Sequence, residues 1–534
     1  MRIVAKDEMK EIETKAFEEY GFSEALIIEN VGIASYRYLA RHVLDDIPNA
    51  EIIILTGKGN NASDGLAIGR HLANNGYSVR AFCIFPEEDW KEETKNQIKM
   101  AKSFGVKISQ INDVETAQGY FAQSQRNIIV IDALFGTGVQ LPLSQLHYDV
   151  IKCINERASF IISTDIPSGI DGDTGTMQGN AVDADLTLAI GLPKLGYYLS
   201  DGARHVGSVE VIETGLPKEI MYRGDKFLLD IDDVLDSASR RDKFADKKVF
   251  GHTLVLGGSH GLTGALVMTT QSAMKVGAGL VTGATWENQY QEFLARLMPE
   301  VMTGYIPMDQ KQWPRILREI NKYDAIVIGP GLGRSVRSRN LVLDILSHFK
   351  GPVVIDADGI NVLSLKDDAK VFVERGAPTV LTPHFGEFCR FTDIEYDKLI
   401  DKPVHYLKQV MEQLNCTMIL KGPCTYIGLT SGEVLFNYSP NDGMATGGVG
   451  DVLAGILGGL LGQDPSTKNN NSLFNAYENF DRTVCLGVSI HTLAGKIAAE
   501  TNGVRAMTAT SIIDALPDTF KLIDKRIQRI TEAP

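Results

Sequence analysis

The chain has 534 residues, more than one hydrophobic core normally serves, so several domains are expected, each able to bury a sizeable core. A formal net charge of −14 at pH 7 argues against nucleic acid or an anionic membrane as the main partner. The six cysteines and ten histidines are scattered without metal-ligand spacing, which leaves the cysteines as reduced packing thiols and gives no transition-metal site.

The opening residues are charged and helix-like, with no apolar signal segment, and no apolar run reaches the length of a membrane span, so a cytosolic protein is expected. Residues 8 to 45 carry Met9, Ile12, Ala16, Leu26, Ile27 and Val31 at helical spacing. Ile52 to Leu55 then read as a buried strand, GKGNNASDG as a turn, Leu66 to Asn74 as a helix and Tyr77 to Phe82 as the next strand. This is one strand–loop–helix–strand unit of a parallel sheet, in which ligands lie beyond the carboxyl ends of the strands. The pattern recurs where Ile128 to Ile131 run into Asp132, where Phe160 to Ser163 run into Asp165, and where Leu186 to Ile190 lead to Lys194. Taken singly, each acid reads as a helix N-cap. Together Asn61, Asp132, Asp165, Ser168 and Lys194 fall at or just after strand ends, which marks one sheet edge as a site.

These motifs, ENVG at Glu29 to Gly32, GKGNNASDGL, DALFGTG, DIPSGIDGDTG and GLPKLG, resemble in order the YjeF N-terminal family of NAD(P)H-hydrate epimerases, over residues 1 to about 216. The resemblance implies a Rossmann-like three-layer sandwich. It also implies a hydrated nicotinamide dinucleotide held by Asn60, Asn61, Ala62, Ser63 and Asp64 and by Gly136, Thr137, Gly138, Val139, Gln140, Leu141 and Pro142, with Asp165 at the reacting ring. A potassium ion on Asn61, Asp132 and Ser168, all oxygen donors suited to a hard cation, and an Asp165–Lys194 acid/base pair are implied as well. Ala62 and Ser63 stand where the family usually has glycines, and side chains there narrow the loop.

From 215 to 247 the sequence turns charged and weakly periodic, as a connection between domains does, and the boundary is placed near Arg223, giving domains 1–222 and 223–534. No low-complexity linker or short-period repeat occurs. The second domain repeats the alternation: a strand at Thr253 to Leu256, a glycine-rich turn and a helix from Gly264. Ala325 to Ile328 then end in GPGLG, Val353 to Ile355 in DADG, Val380 and Leu381 in TPHFGE, and Thr417 to Leu420 in KGPCT. Within NDGMATGGVGDVLAG, Gly443, Gly447, Gly448 and Gly450 precede Asp451 and an apolar helical run, an arrangement that cradles phosphate at a helix N-terminus. Residues 466 to 482 read as an inserted polar loop. Singly, His384 is equally a satisfied turn residue and Lys421 a solvated lysine.

In this order the motifs look like the YjeF C-terminal family, the ADP- or ATP-dependent NAD(P)H-hydrate dehydratases of the ribokinase-like superfamily. That resemblance implies a hydrate facing Ala265, Gly331, His384 and Asp451. It implies an adenine nucleotide, with Mg²⁺, on Lys421, Gly422, Pro423, Cys424 and Thr425 and on Asn441, Asp442, Gly443, Met444, Ala445, Thr446, Gly447, Gly448, Val449 and Gly450. Phe385 stands where the family commonly has proline. The joint expectation is an α/β chain of two domains that acts as a repair enzyme: the first domain exchanges the R and S epimers of hydrated NADH or NADPH. The second dehydrates the S form at the expense of ADP or ATP, with a homo-oligomer expected. The alternative is a ribokinase-like small-molecule kinase with a non-catalytic nucleotide-sensing N-terminal domain.

Overall fold

The computed structural model describes residues 1–47, 49–123, 127–138, 143–177, 179–235, 244–463 and 473–532. The chain divides into two compact units, Met1–Lys226 and Phe227–Pro534.

In the first unit seven strands run β1 Glu51–Thr56, β2 Val79–Cys83, β3 Lys107–Gln110, β4 Ile128–Ala133, β5 Phe160–Thr164, β6 Leu186–Ile190 and β7 Ser208–Ile212. They lie in the order β3-β2-β1-β4-β5-β6-β7, and every neighbouring pair is parallel. Central strands β1 and β4 are isoleucine-rich because helices cover both sheet faces; from Ile52 to Leu55 all four side chains are buried. The strand order reverses between β1 and β4, which opens a crevice beyond their carboxyl ends. The loops entering it are those after β1 and β4.

One expected element differs here. The helix begins at Asn60, not Leu66, and runs to Asn74, so the second half of the expected turn is helical. Asn and Ser are poor in helix interiors but suited to first turns, where backbone N–H groups have no intrahelical acceptor.

The second unit holds a ten-stranded sheet of β8 Lys226–Leu228, β9 His252–Leu256, β10 Leu280–Trp286, β11 Met302–Ile306, β12 Ala325–Ile328, β13 Val353–Ile355, β14 Thr379–Leu381, β15 Thr417–Leu420, β16 Cys424–Gly428 and β17 Val434–Tyr438. The order is β11-β10-β9-β12-β13-β14-β15-β16-β17-β8. Pairing is parallel from β11 to β15 and turns antiparallel at β15–β16 and β16–β17. Again the order reverses at the first strands, between β9 and β12, so the loops after them meet: Gly258 N–H donates to Pro330 O at 2.9 Å and Ser259 N–H to Gly331 O at 2.5 Å.

The helix Val449–Gln463 is buried along nearly its whole length. Its glycines let it lie backbone-close to the helix Thr263–Lys275; a Cβ on Gly455 would stand 2.7 Å from Ser272 Cβ, and one on Gly459 2.6 Å from Ala273 O. Of the segment expected to be a polar loop, 466 to 472 lie outside the described residues, and 473 to 482 instead open the helix Leu473–Asn502. That correction has a physical reason in Asp481, which is buried and accepts bonds from Thr430 N–H at 3.1 Å and Thr430 Oγ1 at 2.7 Å, and from Thr417 Oγ1. A buried carboxylate with three donors needs a fixed backbone.

Candidate active sites

Asp165 follows β5 with φ of 65°, an uncommon backbone state for a residue with a side chain. Neighbours over-determine it: its N–H donates to Leu188 O at 2.9 Å and its carbonyl accepts from the Tyr197 hydroxyl. Its carboxylate forms an ion pair with Lys194, whose side chain is only 2% exposed and whose Nζ also donates to Ile190 O at 2.9 Å. Lys194 is anchored in turn by the N-terminal strand residue Val4, with Val4 N–H on Pro193 O at 3.0 Å and Leu195 N–H on Val4 O at 2.9 Å.

Asn61 is reached across Gly136. A Cβ on that glycine would lie 3.4 Å from Asn61 Cβ and 3.5 Å from Asp165 Oδ2. Asn61 Nδ2 donates to Phe135 O at 2.9 Å, while its Oδ1 is buried and has no hydrogen-bond partner. Asp132, fully buried, accepts four bonds: from Ser168 Oγ at 2.6 Å and Leu134 N–H at 3.3 Å on Oδ1, and from Ser168 N–H at 2.8 Å and Ser163 Oγ at 2.9 Å on Oδ2. Burial raises the Asp132 carboxyl above its ordinary range, against the pull of those donors. Burial likewise pushes Asp64 well above it, reinforced by the charges of Asp165 and Glu13.

Asn60 Oδ1 accepts from Lys91 Nζ at 2.8 Å. Ala62 and Ser63 are fully buried, and Ser63 Oγ is 3.2 Å from Thr94 Oγ1, so both side chains point into packing and not into the loop. Gly136, Thr137 and Gly138 lie in the turn after β4, whereas Val139, Gln140, Leu141 and Pro142 lie outside the described residues.

In the second unit the strand ends converge on Lys421. Its backbone N–H donates to Pro383 O at 2.8 Å, it forms an isolated parallel bridge with His384, and its Nζ sits 2.7 Å from Asp356 Oδ1. Thr382 Oγ1 donates to the same oxygen at 2.6 Å. Burial lowers the Lys421 ammonium's pKa, but Asp356, Glu387 and Asp451 together more than offset it and the net shift is upward. A Cβ on Gly450 would stand 3.1 Å from Lys421 Nζ and 3.9 Å from Asp356 Oδ2, so the first turn of the helix Val449–Gln463 faces this ion pair. Asp451 lies in that turn, two residues after the helix begins. Burial first, and then the charge of Asp356, push its carboxyl up to about 7.

Ala357, between Asp356 and Asp358, has φ of 50° and ψ of −118°. Asp358 Oδ2 accepts from Gly333 N–H at 2.9 Å, which ties this loop to the one after β12. There Gly331, at φ 60°, lies against Ala265: a Cβ on it would be 3.3 Å from Ala265 Cβ. His384 caps the helix Phe385–Thr392, its Nδ1 accepting from Gly386 N–H at 3.0 Å and Glu387 N–H at 3.3 Å. Burial lowers its pKa, which keeps the imidazole a neutral acceptor.

Gly422 and Pro423 turn between β15 and β16, and Cys424 and Thr425 open β16. Asp442–Met444 form a short 3₁₀ turn in which Asn441 Oδ1 accepts from Gly443 N–H at 3.1 Å and Asn441 Nδ2 donates to Gly495 O at 3.1 Å. Ala445, Thr446, Gly447 and Gly448 lead from it to the helix start. Asp356, Thr382 and Tyr197 were not singled out from the sequence. The signal for Asp356 was its place in DADG at a strand end; Thr382 and Tyr197 carried none.

Residues 253–518 match the family described as NAD(P)H-hydrate dehydratase, and residues 24–196 that described as YjeF-related protein N-terminus. The chain is similar to the bifunctional NAD(P)H-hydrate repair enzyme Nnr of Moorella thermoacetica, with 32% identity over 543 residues, 100% of this chain and 99% of that one. It is also similar to the Nnr of Thermofilum pendens, with 31% identity over 539 residues, 100% of this chain and 98% of that one. Among solved structures, the ADP/ATP-dependent NAD(P)H-hydrate dehydratase from Bacillus subtilis, co-crystallized with ATP/Mg²⁺, aligns with 26% identity over 56% of this chain and 98% of that chain, at a TM-score of 0.47.

Proposed function

The chain belongs to the bifunctional NAD(P)H-hydrate repair enzymes, and from that premise we propose how its two sites divide the work. In the first, Asp165 and Lys194 act as the acid/base pair that exchanges the R and S epimers at the hydroxyl-bearing carbon of the nicotinamide ring. Moving a hydroxyl from one ring face to the other requires proton transfer, and a carboxylate beside an ammonium supplies both partners. The dinucleotide is held by the backbone of the turns from Asn60 to Asp64 and from Gly136 onward.

Potassium fits this site at one atom already open to it, the buried Asn61 Oδ1 that lacks a partner. Asp132 and Ser168 would complete the oxygen set, each giving up part of its present hydrogen bonding. Bound there, the cation supplies fixed positive charge beside the reacting dinucleotide.

In the second site the nucleotide's terminal phosphoryl group passes to the ring hydroxyl oxygen of the S epimer while Asp451 takes the hydroxyl proton. The carbon–oxygen bond then breaks, phosphate leaves, and loss of a ring proton restores the double bond of NADH or NADPH. The free N–H groups opening the helix at Val449, together with Lys421, stabilise charge on the phosphate. Mg²⁺ carried on the nucleotide's own oxygens would neutralise phosphate charge. The observation that carries this reading is Asp451 in the first turn of a glycine-led helix that faces the Lys421–Asp356 ion pair, its carboxyl pushed up to about 7, which suits a proton acceptor at neutral pH. We infer further that the enzyme acts in the cytosol as a homo-oligomer on small molecules, with the net charge of −14 disfavouring nucleic acid.

The test gives the purified protein a racemic hydrate with ADP or ATP and follows reduced-cofactor absorbance. Conversion of all the hydrate is expected. A plateau at about half would remove the epimerase assignment, and accumulation of a stable phosphorylated hydrate would make the second domain a kinase instead.

A further inference from the structure

Three charged groups from three strand ends or helices meet at the second site, and only two of them have been given work. Lys421, after β15, is held at 2.7 Å by Asp356, after β13. The ammonium lies directly over Gly450, whose missing side chain leaves room for it, and Asp451 is the next residue. The ammonium is paired with Asp356, and the charges of both members of the pair act on Asp451. Asp356 is itself fixed: Thr382 Oγ1 donates to it at 2.6 Å, its N–H donates to Ile328 O at 3.1 Å, and the chain beyond it bends through the positive φ of Ala357.

We propose that Asp356 is a positioning residue for the dehydration step: fixed by Thr382, it holds the Lys421 ammonium over the first turn of the Asp451 helix. This rests on the reading of the second site as a phosphoryl-transfer site with Asp451 as base. The phosphate has to arrive where Lys421 and the helix N-terminus point, and a lysine with a flexible four-carbon stem keeps that position only if something opposes its mobility. Asp356 opposes it through the 2.7 Å contact of its Oδ1 with the ammonium. The negative charge of Asp356 also disfavours the ionisation of Asp451, while the Lys421 ammonium favours it.

The remaining charged groups facing Asp451 are Glu387 on the helix Phe385–Thr392 and Asp358 after β13, both raising its pKa further. His491, on the helix Leu473–Asn502, accompanies the start of the Asp451 helix through Nε2 at 3.1 Å from Val449 O. Burial pushes it down to about 4, so it is neutral across the working range and adds no charge. That leaves Asp356 and Lys421 as the pair whose removal moves Asp451 in opposite directions.

The experiment measures kcat/KM for hydrate dehydration against pH, with saturating ATP and Mg²⁺, for the full chain and for Asp356→Asn and Lys421→Gln. In Asp356→Asn the acid limb should move to lower pH by about one unit, because Asp451 loses a like charge and keeps the ammonium. In Lys421→Gln it should move upward by about one unit, because the charge of Asp356 then acts on Asp451 without the cation. Asp356→Glu, which keeps the charge, should return the limb toward wild type. A purely structural Asp356 would lower the rate at every pH and leave the limb in place; that result, or a limb moving the same way in both variants, overturns the proposal. Should Asp356→Asn not fold, Lys421→Gln decides alone, and an unmoved limb there overturns the proposal. If the wild-type chain dehydrates no hydrate, the underlying reading fails; if it does and the limbs stay fixed, only the role of Asp356 fails.

Discussion

Replacing Asp451 by asparagine should abolish dehydration and at the same time stabilise the second unit, by an amount that grows with pH. The carboxyl sits at about 7 in the folded chain against an ordinary value of 3.8, raised first by burial and then by Asp356. Between those two values the folded state binds a proton that the unfolded state has lost, so stability falls as pH rises and levels off above about 7. About three units at roughly 1.4 kcal/mol each make the ionised carboxylate cost the fold about 4 kcal/mol at pH 8. An asparagine of nearly the same shape carries no such cost. Variant and wild type should therefore be nearly equally stable below about pH 4 and diverge steadily up to about pH 7, beyond which the variant keeps a constant advantage. Urea unfolding followed by tryptophan fluorescence in a Trp90→Phe background reports the second unit alone, since Trp286 and Trp313 are then the only indoles and both are buried there. A pH-independent difference, or a variant less stable than wild type at pH 8, would refute the reasoning about where the carboxylate's proton affinity comes from.

Two further outcomes follow from the geometry. Asn61→Leu removes the buried Oδ1 that lacks a partner, so the K⁺ concentration for half-maximal epimer exchange should rise roughly tenfold while dehydration of the S epimer is unchanged; an unaltered K⁺ response would place the ion elsewhere. Ala357→Gly releases a positive-φ backbone whose strain is on the order of 1–3 kcal/mol, offset by the greater freedom of glycine in the unfolded chain, so thermal unfolding should show a net gain of about 1 kcal/mol; a loss in stability would mean the methyl group packs in a way that outweighs the strain.

Much of both sheets could be read from runs such as Ile52–Leu55 and Ala325–Ile328, because a strand covered on both faces must be apolar without interruption. The strand ends of the two candidate sites were legible for a related reason: Asp132, Asp165 and Lys194 in the first unit and Lys421 in the second interrupt or follow such runs at their carboxyl ends. The helix start at Asn60 was hidden because Asn, Ser and Gly signal turns as strongly as they fit a first helical turn. The hairpin of β16 and β17 was missed because KGPCT reads as a loop, and only the register of Thr425 on Asn437 and Tyr426 on Phe436 turns its second half into strand. Asp481 illustrates a further limit. Its partners Thr417 and Thr430 lie more than fifty residues away in sequence, and no local pattern distinguishes a polar helix turn that will be buried from one that will face water. Asp356 escaped for the same reason, since its importance lies in a lysine 65 residues further on.

Each unit sets a non-glycine residue at positive φ just after a central strand, Asp165 after β5 and Ala357 after β13. The two bends do different work. At Asp165 the residue in the unusual conformation is the carboxylate proposed above to react, held from both sides by Leu188 O and the Tyr197 hydroxyl, and its side chain pairs with Lys194. At Ala357 the strained residue has no chemistry, and its bend separates two acids with separate duties: Asp356 turns toward Lys421, and Asp358 toward Gly333 and Arg334. In a regular strand these two acids, two residues apart, would share one face. The bend at Ala357 therefore lies between two acids with different partners, Lys421 for Asp356 and the loop after β12 for Asp358, and it accounts for an alanine, small enough to accept the bend, standing between the two carboxylates.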